Sequence, residues 1–411
     1  MIKKWNFEKT KFDGNREDDY MIHKKIISII STILLISQFT LTNVEASTFE
    51  EDVDEDMMII EDEIFNDVEP TDLNLSTLRV SARNAIAIDS KTNQVLFEQN
   101  AREIVPMAST TKILTALVAL NYGDLDREIT ISKNAASIRG SKVGYKADEK
   151  ITAHELLFGL MFKSGNDAAI ALAEDIGGSI EGFAKIMNDY AKSLGLVDSH
   201  FESPHGLDSS KHYTTAYDLA ILTTTAMKND KFREICGSKT MLKDKYNFTR
   251  EYQNINKILY KIPEANGVKT GYTGQAGKCL VSSINHQDRN IIIVVLNCFD
   301  RWNVTEKIYK SVCESYEFKR GSMQDIKKSP QLIKLGSIIE DTEFDYGFKG
   351  EGSIEVEVFM PVLEKSKGDI VGKVSLVDKQ NELVKKGLKC NKELSVEELE
   401  NLIIVDEKSV S

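Results

Sequence analysis

Two β-rich runs separated by four polar residues, 277–285 and 290–299, constrain the fold of this chain more than any other feature. Residues 291–296 read Ile-Ile-Ile-Val-Val-Leu, without a polar position. Because side chains alternate between the two faces of a strand, a run that is apolar throughout is buried on both faces. The runs therefore predict a pair of largely buried strands that other elements must cover.

Helical spacing of apolar residues supplies those covering elements. It occurs in four earlier regions: 108–120, 152–177, 180–196 and 214–230. The second region is predicted to break at Lys-Ser-Gly-Asn, 163–166, because Gly and Asn are poor residues inside a helix. Residues 85–89 and 94–99 predict a β-hairpin around a turn-prone segment, and 302–318 predict a closing helix. The expected fold class is α+β, with an antiparallel sheet between helix layers.

The charge of the chain is unevenly distributed. Of 411 residues, 41% are hydrophobic and 28% charged, as in a folded protein of two or three domains. Eleven of the 64 acidic residues lie between Glu50 and Pro70, a stretch without Lys or Arg. Removing those eleven leaves 53 acids against 52 bases, so the rest is nearly neutral. Without a basic stripe, no nucleic-acid partner is expected.

The N-terminal region has the pattern of an export signal. Met21 is followed by a basic segment, and residues 26–41 are mainly apolar. Val-Glu-Ala before Ser47 matches a signal-peptidase site. We expect translation to start at Met21 and cleavage to follow Ala46. An uncleaved segment would instead tether the protein to the membrane.

Composition then divides the chain into four parts. After residue 319 apolar and polar residues alternate with Gly turns, which predicts a small all-β domain, interpreted as sandwich-like. The predicted parts are an extension with signal peptide (1–46), an acidic disordered linker (47–80), a catalytic domain (81–319) and the β-domain (320–411). Among the five cysteines, Cys279 and Cys298 flank the late strand pair, so either a disulfide or separate buried thiols would fit.

The first chemical motif is Ser109-Thr-Thr-Lys112, at the start of an apolar helix. Positions i and i+3 of a helix share a face, so the hydroxyl and the amine are expected to lie together. A serine becomes a nucleophile when a base takes its proton, and a buried lysine can be that base. The motif alone equally fits an N-cap serine followed by a surface lysine.

Two further motifs follow in order. Ser164-Gly-Asn166 stands at the predicted helix break, and Lys269-Thr270-Gly271 precedes the β-rich pair. A loop serine and amide can relay a proton and hold a carbonyl, and a strand lysine can attract an anion. Gly271 would let its strand pass close to a bound peptide. The set SxxK, SxN and KTG is typical of penicillin-interacting serine enzymes.

With these motifs and their context, residues 82–318 resemble the serine-type D-alanyl-D-alanine carboxypeptidases, which are the low-molecular-mass penicillin-binding proteins of peptidase family S11. The similarity extends over residues 84–120, 164–174, 201–220 and 267–281. The resemblance implies a penicillin-binding/β-lactamase-like transpeptidase domain, and the tail resembles the β-sandwich of that family more weakly.

The resemblance also implies roles for single residues. Ser109 would be the acylated nucleophile and Lys112 its general base, while Ser164 would relay protons and Asn166 would hold the substrate amide. In the third motif, Lys269 and Thr270 would bind the substrate carboxylate. The remaining positions follow from the same motifs: Gly271 admits the peptide, and the backbone N–H groups of Ser109 and Tyr272 form the oxyanion hole.

The implied reaction removes the terminal D-alanine from peptidoglycan stem peptides ending in D-Ala-D-Ala, through an acyl-enzyme. β-Lactams would acylate the same serine as inhibitors. No cofactor and no metal are implied. The protein is expected at the outer face of the cytoplasmic membrane or in the cell wall. Endopeptidase or transpeptidase activity, oligomeric state and use in growth or sporulation stay open.

Three alternative functions would require different residues. A class A β-lactamase shares the motifs but also needs a Glu-x-x-Leu-Asn type motif, which is absent between Asn166 and Lys269. A zinc peptidase would need ligands among the histidines, but the sequence has no His-Glu-x-x-His. A catalytically idle wall-binding scaffold would not need all the catalytic side chains that are present.

Overall fold

The computed structural model describes residues 2–6, 78–122, 124–322, 343–348, 353–359, 364–378 and 381–398. The strands are β1 (Ile2–Asn6), β2 (Asn84–Asp89), β3 (Val95–Gln99), β4 (Glu128–Thr130), β5 (Lys150–Thr152), β6 (Thr240–Met241), β7 (Tyr252–Gln253), β8 (Ala265–Thr273), β9 (Gly277–His286), β10 (Arg289–Leu296), β11 (Glu317–Ser322), β12 (Glu343–Phe348), β13 (Ser353–Phe359), β14 (Ile370–Asp378) and β15 (Asn381–Lys389). The α-helices are α1 (Lys112–Asn121), α2 (Lys133–Ser137), α3 (Ala153–Phe162), α4 (Asn166–Gly177), α5 (Ile180–Ser193), α6 (Ala216–Ala226), α7 (Asp230–Gly237), α8 (Ile258–Lys261) and α9 (Arg301–Ser315).

A five-stranded antiparallel sheet in the order β3-β2-β10-β9-β8 forms the centre of the catalytic region. The predicted hairpin is β2–β3, and the predicted β-rich pair is β9–β10. The structure adds the pairing of β2 with β10, in which Ile88 faces Ile292. This pairing brings the two ends of the catalytic region together.

The alternating side chains of β10 supply two separate cores. Ile292 and Val294 pack with the helical layer that contains α1, α3, α4 and α6. Ile291 and Ile293 pack on the opposite face with residues of α8 and α9. Burying one such side chain contributes about 1.5–3 kcal/mol. The expected antiparallel sheet between helix layers is therefore confirmed.

The predicted helix break lies between α3 and α4. Helix α3 begins at Ala153, where the Thr152 side chain accepts a hydrogen bond from the Glu155 backbone N–H, and it ends at Phe162. Ser164 has a φ of 57°, in the left-handed region, which interrupts the helical path before α4 starts at Asn166. The break turns the side chains at its two ends toward α1.

The strands after Glu317 form a β-rich region. β11 pairs with β12, and β13, β14 and β15 form an antiparallel sheet with β1 at one edge. Because β1 precedes Met21, a protein that starts at Met21 or Ser47 would have this sheet without β1. This arrangement fits the predicted all-β tail, although the sandwich and the exact domain limits remain predictions. The proposed signal segment 21–46 and the acidic run from Glu50 to Pro70 lie outside the described residues.

The five cysteines are free thiols, and Cys279 and Cys298 are both buried. Of the two arrangements that the sequence allowed for this pair, the structure has the separate buried thiols.

Candidate active site

The predicted nucleophile lies in a single 3₁₀ turn, Ala108–Thr111, directly before α1. Ala108 adopts a φ of 50°, so the chain enters the turn sharply and Ser109 remains half-buried rather than fully enclosed. Gly206 permits this turn, because a Cβ there would lie 2.0 Å from the Ala108 carbonyl oxygen. The turn therefore presents the Ser109 hydroxyl at the edge of the core.

Lys112 is completely buried and its amine is surrounded by three acceptors. Nζ lies 2.8 Å from each of Ser109 Oγ, Asn166 Oδ1 and the His205 carbonyl oxygen. These contacts hold a long flexible side chain in one position. In its neutral form this amine is in place to take the Ser109 proton. The surface-lysine interpretation of the first motif is thus wrong.

The second motif places its two polar residues differently. Asn166 accepts from Lys112 through Oδ1 and donates from Nδ2 to the Arg139 carbonyl oxygen at 2.9 Å, which defines its amide orientation. Ser164 is 1% exposed, and its hydroxyl has no hydrogen-bond partner among the described residues. A buried hydroxyl without a partner costs about 1–3 kcal/mol, so such a group is a candidate for a role in proton transfer or substrate binding.

The third motif lies on β8, the edge strand beside the nucleophile turn. Lys269 is buried, with Nζ 2.8 Å from the Thr270 carbonyl oxygen. A Cβ at Gly271 would lie 3.0 Å from the Ser109 backbone nitrogen and 3.1 Å from Ala108 Cβ. This strand passes the turn of Ser109 at near-contact distance, which leaves little room for a side chain at position 271. The predicted close approach of Gly271 to a bound peptide stays a prediction.

Hydrogen bonds join Ser109, Lys112 and Asn166 directly, and Gly271 lies against the Ser109 backbone. Three predicted residues, Ser164, Lys269 and Thr270, are their sequence neighbours and are buried. Tyr272 follows on β8 with its side chain 40% exposed, so its predicted role rests on its backbone N–H. The roles of all eight residues stay predictions.

A comparison with protein families agrees with this geometry. The model of peptidase family S11, described as D-alanyl-D-alanine carboxypeptidase, matches residues 71–300, more than half of the chain. The chain belongs to this family. The predicted membership of family S11 is confirmed, and the β-lactamase and zinc-peptidase alternatives are not supported.

Similar proteins include two D-alanyl-D-alanine carboxypeptidases. DacF of Bacillus subtilis is 37% identical over 54% of this chain and 58% of its own length, so the match spans less than two thirds of that relative. DacC of Escherichia coli is 36% identical over 67% of this chain and 72% of its own.

Solved structures show the same fold. The Streptomyces K15 DD-transpeptidase has a TM-score of 0.55 and 30% identity, covering 58% of this chain and 98% of that one. DacD of Francisella tularensis has a TM-score of 0.58 and 25% identity, covering 81% and 97%.

Several residues of this S11 site were missed by sequence reasoning. Arg301 is buried at the start of α9, and its guanidinium donates to the carbonyl oxygens of Gly271 and Cys279 at 2.9 and 3.1 Å. It thereby binds the strand that carries the third motif. Asp167, next to the second motif, accepts from the backbone N–H groups of Val143 and Gly144. An arginine at a helix start and an acid after Asn166 have no sequence signature that distinguishes these roles.

Two histidines support the nucleophile turn without joining the chemistry. Nδ1 of His212 accepts from the Glu202 backbone N–H at 3.0 Å, so Nε2 carries the proton and donates to Thr111 Oγ1 at 2.7 Å. Burial lowers the pKa of His212 to about 4. Burial, reinforced by the nearby Lys112 charge, lowers the pKa of His205 to about 3. Both imidazoles are therefore neutral near pH 7, and each forms local hydrogen bonds, with Nδ1 of His205 accepting from the Leu207 backbone N–H at 3.2 Å.

Within the described ranges, no group of three His, Cys, Asp or Glu side chains is arranged to hold a metal ion.

Proposed function

We propose that this S11 enzyme removes the terminal D-alanine from peptidoglycan stem peptides ending in D-Ala-D-Ala, through an acyl-enzyme on Ser109. The observation that carries the proposal is the Lys112 amine, which is buried, 2.8 Å from Ser109 Oγ and equally close to Asn166 Oδ1. A nucleophile and its base held together by a third group form the arrangement that acyl transfer requires.

In the acylation step, Ser109 Oγ attacks the carbonyl carbon of the penultimate D-alanine while neutral Lys112 takes the hydroxyl proton. The backbone N–H groups of Ser109 and Tyr272 are assigned to the oxyanion, where preorganised donors are worth about 3–4 kcal/mol each. The C–N bond then breaks, and the proton reaches the departing D-alanine nitrogen from Lys112, with Ser164 as relay.

In the second step, water attacks the acyl-enzyme and Lys112 receives one of its protons. The ester bond breaks as Lys112 gives that proton to Ser109 Oγ, which restores the hydroxyl. The shortened peptide leaves as a carboxylate after its remaining acid proton passes to solvent. The hydroxyl of Ser164, for which the described residues provide no hydrogen-bond partner, is assigned to complete the proton path in both directions.

The terminal carboxylate of the substrate is assigned to Lys269 and Thr270. Both are on β8, beside the glycine that brings this strand within contact of the Ser109 backbone. β-Lactams carry a carboxylate and a strained amide at similar positions. They are therefore expected to acylate the same serine and to be released slowly.

The test uses protein that starts at Ser47, mixed with benzylpenicillin and followed by intact mass against time. A long-lived adduct of one penicillin is expected, together with D-alanine release from an acetylated D-Ala-D-Ala peptide. Ser109→Ala should show neither. Ser193→Ala, an exposed serine of α5, is the matched control and should keep both. An adduct that survives in Ser109→Ala would overturn the assignment.

Transpeptidation is the second candidate, because a solved structure with the same fold is named a DD-transpeptidase. Both reactions share the acyl-enzyme and differ only in the acceptor. Adding an amino-acid amine to the D-alanine assay distinguishes them. A new peptide product at the expense of the hydrolysed one would assign transpeptidation.

We further propose export of the protein to the outer face of the cytoplasmic membrane or the cell wall. The support is the pattern after Met21, which lies outside the described residues. No helix in the described part of the chain is long and apolar enough to cross a membrane. N-terminal sequencing of the protein from its host should find Ser47. A retained segment would mean attachment through an uncleaved signal, and a protein found in the cytoplasm would contradict export.

A further inference from the structure

The loop 139–145 forms one rim of the active site and carries two exposed cations. Arg139 and Lys142 both have exposed side chains. Neither forms an ion pair or a side-chain hydrogen bond with any described part of the chain. They therefore present positive charge to solvent beside the second motif.

This loop is held in place by two neighbouring residues of α4. Asn166 donates from Nδ2 to the Arg139 carbonyl oxygen at 2.9 Å and from its backbone N–H to the Ser141 carbonyl oxygen at 2.8 Å. The Asp167 carboxylate accepts from the N–H groups of Val143 and Gly144 at 3.0 and 2.8 Å. The backbone on both sides of each cation is thus anchored, and both charges project from a defined position.

The proposed function determines which part of the substrate meets this rim. In the proposed complex, the terminal carboxylate of the substrate binds Lys269 and Thr270, and the scissile carbonyl lies at Tyr272. The substrate peptide therefore runs antiparallel to β8. The residue before D-Ala-D-Ala then lies between the end of β8 and Asn166. Asn166 Nδ2 is 2.9 Å from the Arg139 carbonyl oxygen, and a Cβ at Gly140 would lie 2.8 Å from the same Nδ2. The backbone that carries Arg139 therefore lies beside a substrate amide held by Asn166.

The charges around this position favour an anion. Lys112 and Lys269 are buried deeper in the site. Two carboxylates lie near this position. Asp167 accepts from the N–H groups of Val143 and Gly144, and Asp208 accepts from Thr273 Oγ1 at 2.6 Å and from the Gln275 N–H at 3.1 Å. Hydrogen bonds partly compensate both of these charges, whereas Arg139 and Lys142 form no ion pair within the described residues.

We propose that Arg139 and Lys142 select stem peptides in which the residue before D-Ala-D-Ala carries a free side-chain carboxylate. This inference rests on the proposed carboxypeptidase function and specifies its substrate class. Such exposed pairs are screened by salt, and together they are expected to favour the acidic peptide by about three- to tenfold in kcat/KM at low ionic strength.

The test compares two peptides that differ by one charge. Acetylated meso-diaminopimelyl-D-Ala-D-Ala is used with its side-chain carboxyl free or amidated, and D-alanine release is measured at low and high salt. The proteins are the wild type, Arg139→Gln, Lys142→Gln and the double variant. Lys185→Gln, an exposed lysine on α5, removes the same charge away from the site.

We expect the preference for the free carboxylate to fall in each single variant, to approach one in the double variant and to be unchanged in Lys185→Gln. Turnover of the amidated peptide and acylation by benzylpenicillin should not change, which shows that the Ser109 site is intact. A preference that is absent in the wild type, or retained in the double variant, overturns the inference.

Failure of the proposed function has a different signature. If penicillin acylates Ser109 but neither peptide releases D-alanine, the carboxypeptidase assignment is wrong. The two peptides are then compared as competitors of penicillin acylation. Stronger protection by the free carboxylate still supports the selection by Arg139 and Lys142, and equal protection overturns it.

Discussion

At the scale of single residues, the contact between Ser109 and Lys112 follows from their spacing, whereas its chemistry depends on burial. The i, i+3 separation places both side chains on one face. The three acceptors around Nζ, two of which come from distant segments, are what make Lys112 a positioned base.

Gly271 gives a direct test of the close approach between β8 and the nucleophile turn. In Gly271→Ala, the added Cβ would lie 3.0 Å from the Ser109 nitrogen, so the turn or the strand must shift. Because small displacements of reacting groups are costly, we expect penicillin acylation to slow by about 100-fold, with a stability loss of roughly 1–3 kcal/mol.

Gly274→Ala is the matched control for this substitution. It lies three residues further along, and a Cβ there meets nothing within 4 Å. Its acylation rate should stay close to that of the wild type. Equal rates in the two variants would show that β8 does not constrain Ser109.

The pKa of His212 predicts how stability depends on pH. The folded value is about 4, below the value of about 6.5 in an unfolded chain, so the unfolded state binds more protons between these limits. The free energy of unfolding should therefore fall as pH decreases from 6.5 to 4, with a slope approaching about 1.4 kcal/mol per pH unit from this residue. His205 acts in the same direction.

Urea unfolding at several pH values checks this dependence. His212→Gln removes one titrating group and should flatten the dependence between pH 6.5 and 4, whatever its stability at pH 7. Identical slopes in the variant and the wild type would be inconsistent with a neutral, buried His212.

At the scale of elements, the helix break before α4 organises the site. Ser164 and Asn166 lie at the break. The carboxylate of Asp167, in the first turn of α4, holds the loop 139–145 by accepting hydrogen bonds from backbone N–H groups of that loop. The sequence predicts the break from its Gly and Asn. It does not predict that the following acid orders a loop more than twenty residues earlier.

Asp167→Asn tests this anchoring. The buried carboxylate accepts several backbone N–H groups, and an amide would turn a donor toward some of them. Hydrogen bonds to a charged group are worth about 1.5–3 kcal/mol each, so we expect a loss of roughly 2–4 kcal/mol in unfolding free energy and slower acylation.

Asp175→Asn on the same helix is the control, because Asp175 forms only a partly exposed pair with Arg127. The expected loss of unfolding free energy in Asp175→Asn is at most about 1 kcal/mol. A similar loss in both variants would contradict the anchoring of the loop 139–145 by Asp167.

At the scale of the whole molecule, a buried ion pair joins elements that are far apart in sequence. Arg289 at the start of β10 donates to the fully buried Asp89 at 2.9 Å, and its guanidinium lies over the Phe318 ring of β11. Asp345 of β12 lies 3.5 Å from the same guanidinium. The end of the central sheet and the β11–β12 pair thus share one cation.

Arg289→Gln should destabilise the protein strongly, because it leaves the Asp89 charge buried without its partner. The expected loss is about 3–5 kcal/mol in unfolding free energy. Hydrogen exchange should also show faster opening of β11 and β12. Lys91→Gln, which removes a cation paired with Asp288 at the surface, should cost at most about 1 kcal/mol. Equal losses of unfolding free energy in Arg289→Gln and Lys91→Gln would mean that the buried ion pair contributes no more to stability than the surface pair.

The sequence by itself determined the local features of this protein. Periodicity and turn residues predicted the helices around the site, the break at 163–166 and the strand pairs β2–β3 and β9–β10, because these depend on neighbouring residues. The three motifs predicted a nucleophile, an amide and a strand glycine, since the proposed chemistry requires these residue types, and the structure brings the three positions together.

Only the tertiary structure decided which distant groups complete the site. Asn166 and the His205 carbonyl reach Lys112 from segments 54 and 93 residues away, and Arg301 supports the strand of Gly271. Such contacts depend on how α1, α4 and β8 pack around a common core. Local spacing contains no information about that packing, so the surroundings of Lys112 and the anchored cations of the loop 139–145 could be recognised only in the folded chain.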